Sequence, residues 1–511
     1  MNCKYSFILI LLLLFTLFSC KKQQDFSDLK GDKWNPSLAV PLINSQVSIE
    51  DILIRSGENE NLDNDFSGKL AVHYQTRLFS IEGKDLFKIP DLSGVLNSLN
   101  NSFNFNFPGS TQVSEFKLKS GELDYAITTP DNEPGEITII IEDATNSEGV
   151  FTEKIEIGGD HGQYHSGSFD LSGFEFDLSN NNITIQYLVD LASGLSVNLE
   201  DYPFLINIRD LVYEYSIGFF DGLNFGSFAD TLDLNLFKNW IKGSLEINNP
   251  SISFFLENSF GFPILAEFST MESVNHHEDD EVIALESSLS LGDSVEIEFP
   301  NLFNIGETET TSIEFDDNNS NLSNLISISP QEFRFALFFK KKVEVDSSNF
   351  NFLTEDSQFS LDVDLRLPIS GKIQDVLVRD TIPFEASTES LFKTLNQAKF
   401  RIETINKLPI DLKMQIYFAD ENDQVLDSLF QDSQNLLSSG EINSSGRVID
   451  PTNEVNFVTL DNEKALGIEN SRKLFVEIQL NSAEDGNATV EFYEDYFIGI
   501  KLGVIADTQM D

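Results

Sequence analysis

The chain has 511 residues, 33 of them Lys or Arg against 84 Asp or Glu, for a formal net charge of -51, yet 41% of it is hydrophobic. That apolar share excludes a disordered acidic tail, and a chain of this length buries roughly three quarters of its extended surface, enough to fold without covalent staples. The charge excludes nucleic acid and disfavours anionic lipid headgroups as partners, because the sequence has no Lys/Arg stripe and its densest basic cluster is Lys340-Lys341-Lys342.

Residues 1–4 carry one positive charge and residues 7–18 are an apolar run of signal-peptide length, short of the roughly 20 residues a bilayer-spanning helix needs. Leu17-Phe18-Ser19-Cys20 follows. It resembles the lipobox of bacterial lipoproteins, which implies removal of residues 1–19 and a diacylglycerol on the Cys20 sulfur. Cys3 lies in the part removed, so an acylated Cys20 leaves no internal disulfide and no cysteine-based metal site. Residues 20–36 then form a polar, lipidated tether. The resemblance implies a lipid-anchored protein of the outer membrane; two Gln between Lys22 and Asp25 leave the periplasmic face and the cell surface both open.

From residue 37 onward, period-two alternation recurs, as in 169–178 (FDLSGFEFDL), 295–299 (VEIEF), 359–367 (FSLDVDLRL) and 474–480 (LFVEIQL). Each predicts a strand with one apolar face. Turn clusters lie at 179–182, 316–320 and 484–487. Short helices are expected only at 49–54, 92–99, 387–397 and 462–468. The fold class is therefore mainly β, in two or three antiparallel β-sandwich-like modules with a few short helices. Boundaries near 235 and 385 divide it into β domains 37–235, 236–385 and 386–511. Three stretches repeat an alternating strand, a Pro-containing turn and a second alternating strand: Gly121 to Ile141, Gly243 to Phe268 and Ala398 to Ile416. They mark either generic hairpins or three related modules beginning near 115, 238 and 392.

The chain holds 45 Phe against 11 Tyr and 2 Trp. Sugar platforms usually expose Trp or Tyr, so this content points first to a large dry interior. Asn249-Pro250, Asn258 and Gly261-Phe-Pro-Ile resemble the strand pattern of the late-embryogenesis-abundant type β-sandwich, which implies a fold without a catalytic centre. The lipobox, Trp34-Asn-Pro-Ser-Leu-Ala-Val-Pro-Leu, Leu408-Pro-Ile-Asp-Leu and the closing Tyr493-Glu-Asp-Tyr-Phe-Ile-Gly-Ile resemble uncharacterised lipoproteins of Bacteroidota.

Candidate chemistry is sparse. His276-His277 sits in an acidic loop, and His161 and His165 are four apart among glycines, with no third ligand following. Asp63-Asn-Asp65-Phe-Ser67-Gly68 imitates half a calcium loop, but its twelfth position is Tyr74; the Asp420 run fails likewise at Gln431. A hairpin turn is expected at Asp63. No nucleophile elbow or phosphate loop is present, no Ser/His/Asp arrangement can be nominated, and 84 acids make any paired-carboxylate nomination arbitrary. Neither a cofactor, a metal nor a catalytic residue is expected. The sequence reads as a lipid-anchored, non-enzymatic envelope protein acting as a binding or scaffold component. Alternatives are a lipid carrier with a Phe-lined cavity and a glycan-binding or glycan-degrading lipoprotein, the last requiring a cleft with two carboxylates and exposed aromatics.

Overall fold

Alternating runs turn into sheet throughout. A computed structural model describes residues 37–48, 60–178, 180–234, 237, 240–276, 281–289, 292–342, 351–383, 395–430, 434–461 and 470–508. It is 63% strand and 4% helical, in antiparallel sheets, a mainly-β sandwich-like fold. Cys20, the tether and the helices expected at 49–54 and 462–468 lie outside the described residues, as does 387–394; 395–397 belong to a strand.

The described residues open with β1 (Ser37–Ser48), β2 (Glu60–Asn64), β3 (Leu70–Glu82), a one-turn helix α1 (Gly83–Leu86), β4 (Leu92–Leu96) and β5 (Ser102–Asn104). A first module follows: β6 (Gln112–Thr128), β7 (Gly135–Asn146), β8 (Gly149–Ile157), β9 (Tyr164–Asp170), β10 (Glu175–Asp177), β11 (Asn182–Leu191) and β12 (Phe204–Phe219). Strands β13 (Ser227–Asp233) and β14 (Trp240–Ile247) lead to a second: β15 (Ser251–Asn258), β16 (Ile264–Asn275), β17 (Glu281–Ala284), β18 (Ser294–Ile297), β19 (Glu309–Phe315), helix α2 (Leu322–Ser327), β20 (Glu332–Lys341), β21 (Asn351–Thr354) and β22 (Gln358–Pro368). Strand β23 (Ser370–Pro383) leads to a third: β24 (Leu395–Asn406), β25 (Ile410–Ala419), β26 (Val425–Ser428), β27 (Gln434–Leu437), β28 (Glu441–Ile442), β29 (Val448–Asp450), β30 (Thr452–Asp461), β31 (Lys473–Ser482), β32 (Val490–Glu491) and β33 (Phe497–Thr508).

One pairing plan recurs three times. Strands β6, β15 and β24 each lie between a long partner (β12, β22, β33) and a second one (β9, β19, β30). The next strands, β7, β16 and β25, pair with β11, β20 and β31, and also with short strands: β8, β17 with β18, and β26 with β27. The outer neighbours of β11, β20 and β31 are β5, β13 and β23. Each module also takes a strand from the N-terminal segment, in reverse order: β4 joins β12, β3 joins β22 and β1 joins β33. Pairing therefore crosses both divisions expected near 235 and 385, since β21 also pairs with β12. In the first module β10 bridges β6 and β7, merging its strands into one ten-stranded sheet.

The three Pro-containing turns do not close hairpins, because β6 and β7, β14 and β16, and β24 and β25 do not pair with one another. In the second and third modules the turn after β15 or β24 carries the chain from one sheet to the facing one, and a buried asparagine braces it. Asn258 Oδ1 accepts from Phe260 N at 2.9 Å while Nδ2 donates to the carbonyls of Phe262 and Glu298. Asn406 repeats this two and four residues on: Oδ1 accepts from Leu408 N at 2.9 Å, and Nδ2 donates to Ile410 O and Ser438 O. In the first module Thr129 stands there, its hydroxyl 2.8 Å from Asp131 O and 3.3 Å from Gln163 O. Buried backbone polar groups must find partners, and these side chains supply them where the ladder stops.

Two sequence expectations are corrected. Residues 92–96 form strand β4, not a helix: buried Leu92 and Leu96 are four apart, a spacing that both periods satisfy, and Gly94 faces the Phe103 ring, where a Cβ would come within 2.7 Å. The run 169–178 is not one strand, because Gly173, at φ 78°, breaks it between β9 and β10. The interior is ring against ring. Phe254 meets Phe268 at 5.2 Å and Phe335 at 5.5 Å across the second sandwich, and Phe116 stacks on Phe176 at 4.8 Å in the first. That core is continuous through the first two modules, and a separate one around Phe430, Phe492 and Tyr496 fills the third.

Candidate functional site

The repeat brings β12 and β21 of one sheet beside β15 and β22 of the next, and a groove of about 430 Å³ opens between them. Its lining includes Glu214, Tyr215, Glu257, Asp356, Gln358 and Ser360. In a regular strand neighbours face opposite ways; Glu214 and Tyr215 both reach the groove because the β12 register slips between Tyr213 and Tyr215, leaving Glu214 as an extra residue opposite β6. Bulges of this kind re-aim side chains at functional edges.

The walls are held from both modules. Thr354 N donates to Ser357 Oγ, whose hydroxyl donates to Ser259 O, and Gln358 N donates to Ser259 Oγ at 2.7 Å, so the 354–357 turn is fastened to the arch of the second module. Lys119 on β6 fastens it to the first through Glu355 at 2.6 Å. Asp356 is displayed between these two anchors. Glu214 pairs with Lys117 at 2.6 Å, while Glu257 accepts from Ser360 Oγ at 3.2 Å and lies 3.6 Å from Arg77. Burial, followed by hydrogen bonding to Glu115 and Glu175, pushes the Tyr215 phenol well above its usual range, so it stays a donor at any physiological pH. The third wall is the loop after β18. Turns closed by Asn301 and Asn304 thrust Phe303 outward, 97% exposed, while Ile305, Gly306 and Thr308 face the groove.

The residues singled out by sequence are scattered. Asp63 to Gly68 form the turn of the β2–β3 hairpin, in which Glu60 pairs with Tyr74. Asp65 Oδ1 accepts from Ser67 N, Ser67 Oγ and Lys69 N, and these bonds hold its carboxyl below the usual range. Asp420 closes its own turn through Asn422 N and Gln424 N; Gln431 lies outside the described residues. His161 lies 3.1 Å from Glu156, whereas His165 is buried on β9; His276 meets Glu332 at 2.9 Å and His277 is outside the described residues. Among the described residues no three His, Cys, Asp or Glu are grouped to hold a metal ion, and no helix is long and apolar enough to cross a membrane. The basic cluster ends β20: Lys340 and Lys342 reach Glu267 and Glu296, and Lys341 lies over the rings of Phe219 and Phe262. Sequence reasoning missed the groove because its walls come from four separate segments spread between residues 214 and 360. The one local signal was Leu302-Phe303-Asn304-Ile305, apolar residues inside a turn-rich loop.

No family model matches the chain, and no curated protein matches its sequence. Among solved structures it is similar to a protein from Parabacteroides distasonis described as secreted (13% identity, 58% of this chain and 90% of that one, TM-score 0.29). It is also similar to the tandem CBM22 domains of Xyn10C from Paenibacillus barcinonensis (10% identity, 57% and 98%, TM-score 0.12) and to a peptide-N(4)-(N-acetyl-beta-D-glucosaminyl)asparagine amidase (11%, 57% and 93%, TM-score 0.15). At these scores the likeness assigns neither family nor function.

Proposed function

We propose that the chain is a non-enzymatic, lipid-anchored binding component of the bacterial outer membrane, with the groove between its first two modules as the ligand site. The groove carries this reading: it is open, lined with carboxylate, hydroxyl and amide groups, and held in shape from two modules, as a site for a hydrophilic ligand requires. Two of its three carboxylates are already engaged by Lys117 and by Ser360, which suits recognition better than proton transfer. Ring-on-ring packing of the phenylalanines favours a dry interior over a lipid tunnel. Acyl chains on Cys20, at about 0.8 kcal/mol per buried CH₂, would keep the fold within reach of the bilayer. Two measurements test the proposal. Cys20→Ala should abolish labelling by a fatty-acid analogue and release the protein from membranes, and retention would sink the anchor. Lipid extraction of the purified protein should yield no stoichiometric lipid, and one lipid per chain would replace the binding reading with the carrier.

A second reading, glycan binding, is favoured by Phe303. Its exposed ring stands on the loop that supplies one wall of the groove, two residues before Ile305, and an exposed aromatic face is what stacks on a sugar. Affinity electrophoresis in neutral plant and bacterial polysaccharides should retard the native chain and not Phe303→Ala. Equal mobility of both in every gel would remove this reading, and release of reducing sugar would overturn the non-enzymatic one.

A further inference from the structure

At the opposite end of β15 and β22 from the groove lies a second recess, about 210 Å³, at the seam between the second and third modules. It gathers both crossings between those modules, Asn248-Asn249 and Pro368-Ile369-Ser370, with Arg366 from β22 and Lys69 from the β2–β3 turn. The acids on its wall have partners of their own. Glu491 accepts from Lys69 Nζ at 2.6 Å and from the Tyr493 hydroxyl at 2.7 Å, and Asp65 closes its own turn through Oδ1. Arg366 is different. It is half-buried, yet among the described residues it has no ion-pair or hydrogen-bond partner, in a chain with two and a half acids for every base. The side-chain amides of Asn248 and Asn249 and the Ser370 hydroxyl beside it have none either, although Asn248 N donates to Ser370 O at 2.9 Å and fixes the crossing.

A guanidinium presents five N–H donors in a planar fork, and with no protein acceptor they must go to water or to a ligand. The fork matches a carboxylate bidentately. Two amides and a hydroxyl, each able to donate and accept, match hydroxyl groups. The volume equals that of about seven waters at ~30 Å³ each, the bulk of a single sugar ring. We propose that this recess binds a sugar acid, a hydroxylated ring or chain bearing one carboxylate, with Arg366 holding the carboxylate and Asn248, Asn249 and Ser370 the hydroxyls. The site is separate from the groove, and no residue lines both.

Isothermal titration of the full chain with D-glucuronate, D-galacturonate, D-glucose and inorganic phosphate tests this. A uronate should bind, glucose should not, and phosphate should bind at least about tenfold more weakly than the uronate, having no row of ring hydroxyls to reach Asn248, Asn249 and Ser370. Arg366→Ala should abolish uronate binding. Arg366→Lys, which keeps the charge and the stem, should weaken it about tenfold through loss of the fork, and it remains informative if the alanine variant fails to fold. No uronate binding at tens of millimolar, glucose binding as well as uronate, or unchanged affinity in Arg366→Lys would each overturn the proposal. Phosphate binding as tightly as uronate would replace the sugar acid with a general oxyanion site.

Discussion

A single buried amide decides whether the chain can leave one sheet for the next. Asn406, 1% exposed, satisfies one N–H and two carbonyls that the end of β24 would otherwise strand. Asn406→Ala should therefore cost about 3 kcal/mol, read from urea unfolding, against less than about 0.5 kcal/mol for Asn422→Ala, whose side chain is exposed in the Asp420 turn. Neither Asn258 nor Asn406 was legible as a brace, because Asn in a turn-rich stretch is ordinary and only the repeated spacing of its partners distinguishes the two. Tyrosines add a second effect of this size. Burial raises Tyr496 and Tyr493 to about 12, outweighing for Tyr496 the hydrogen bond from Val448 N that favours its ionised form. The unfolded phenol titrates near 10, so their contribution to stability is complete below about pH 10 and is lost as pH rises from there through 12. Phenolate absorbance and circular dichroism should change together over that window; a phenolate signal complete by pH 10.5 or so would show these tyrosines to be open to water.

Among elements, the strands at 295–299 and 359–367 were readable because a face turned inward imposes period two directly, whereas 474–480 is a strand whose side chains are evenly half-buried. What strands pair with was not readable, since a hairpin and a crossing between sheets share the same alternation and the same Pro-rich turns. The crossing from β22 to β23 shows what the connection demands. Gly371 pairs with Ile247 on one side and Val490 on the other at φ 147°, and a Cβ there would come within 1.7 Å of Glu246 O. Gly371→Ala should cost more than about 3 kcal/mol, since backbone must move. Gly149, also at positive φ but with nothing within 4 Å of a Cβ, should lose only about 1 kcal/mol as Ala. Equal melting points for the two variants would contradict the tight fit assigned to the seam.

For the whole molecule, alternation made the β class legible and the phenylalanine count pointed to the ring packing inside, but both recesses are products of how modules abut, and no local pattern encodes that. Net repulsion is also a whole-molecule property. Raising salt from 10 to 150 mM shortens the Debye length from about 30 to about 8 Å and should raise the melting temperature; a steady fall would mean that ion pairs outweigh repulsion. Among the described residues the carboxylates whose pKa values move all move down, among them Asp124 beside Arg209, Glu332 beside His276 and Arg334, and Glu403 beside Lys501 and Arg401. Their contribution is present above the unfolded value near 4 and is lost as pH falls through the lower folded values, so acid should destabilise the chain only below about pH 4. The pairing of β1 with β33 also sets a timetable. A chain threaded across a membrane N-terminus first delivers β1 early, yet its partner lies roughly 450 residues downstream, so the last sandwich can close only after nearly all of the polypeptide has arrived. Any product broken off before Phe497 leaves β1 with an open ladder of backbone amides, an edge by which incomplete copies differ from finished ones.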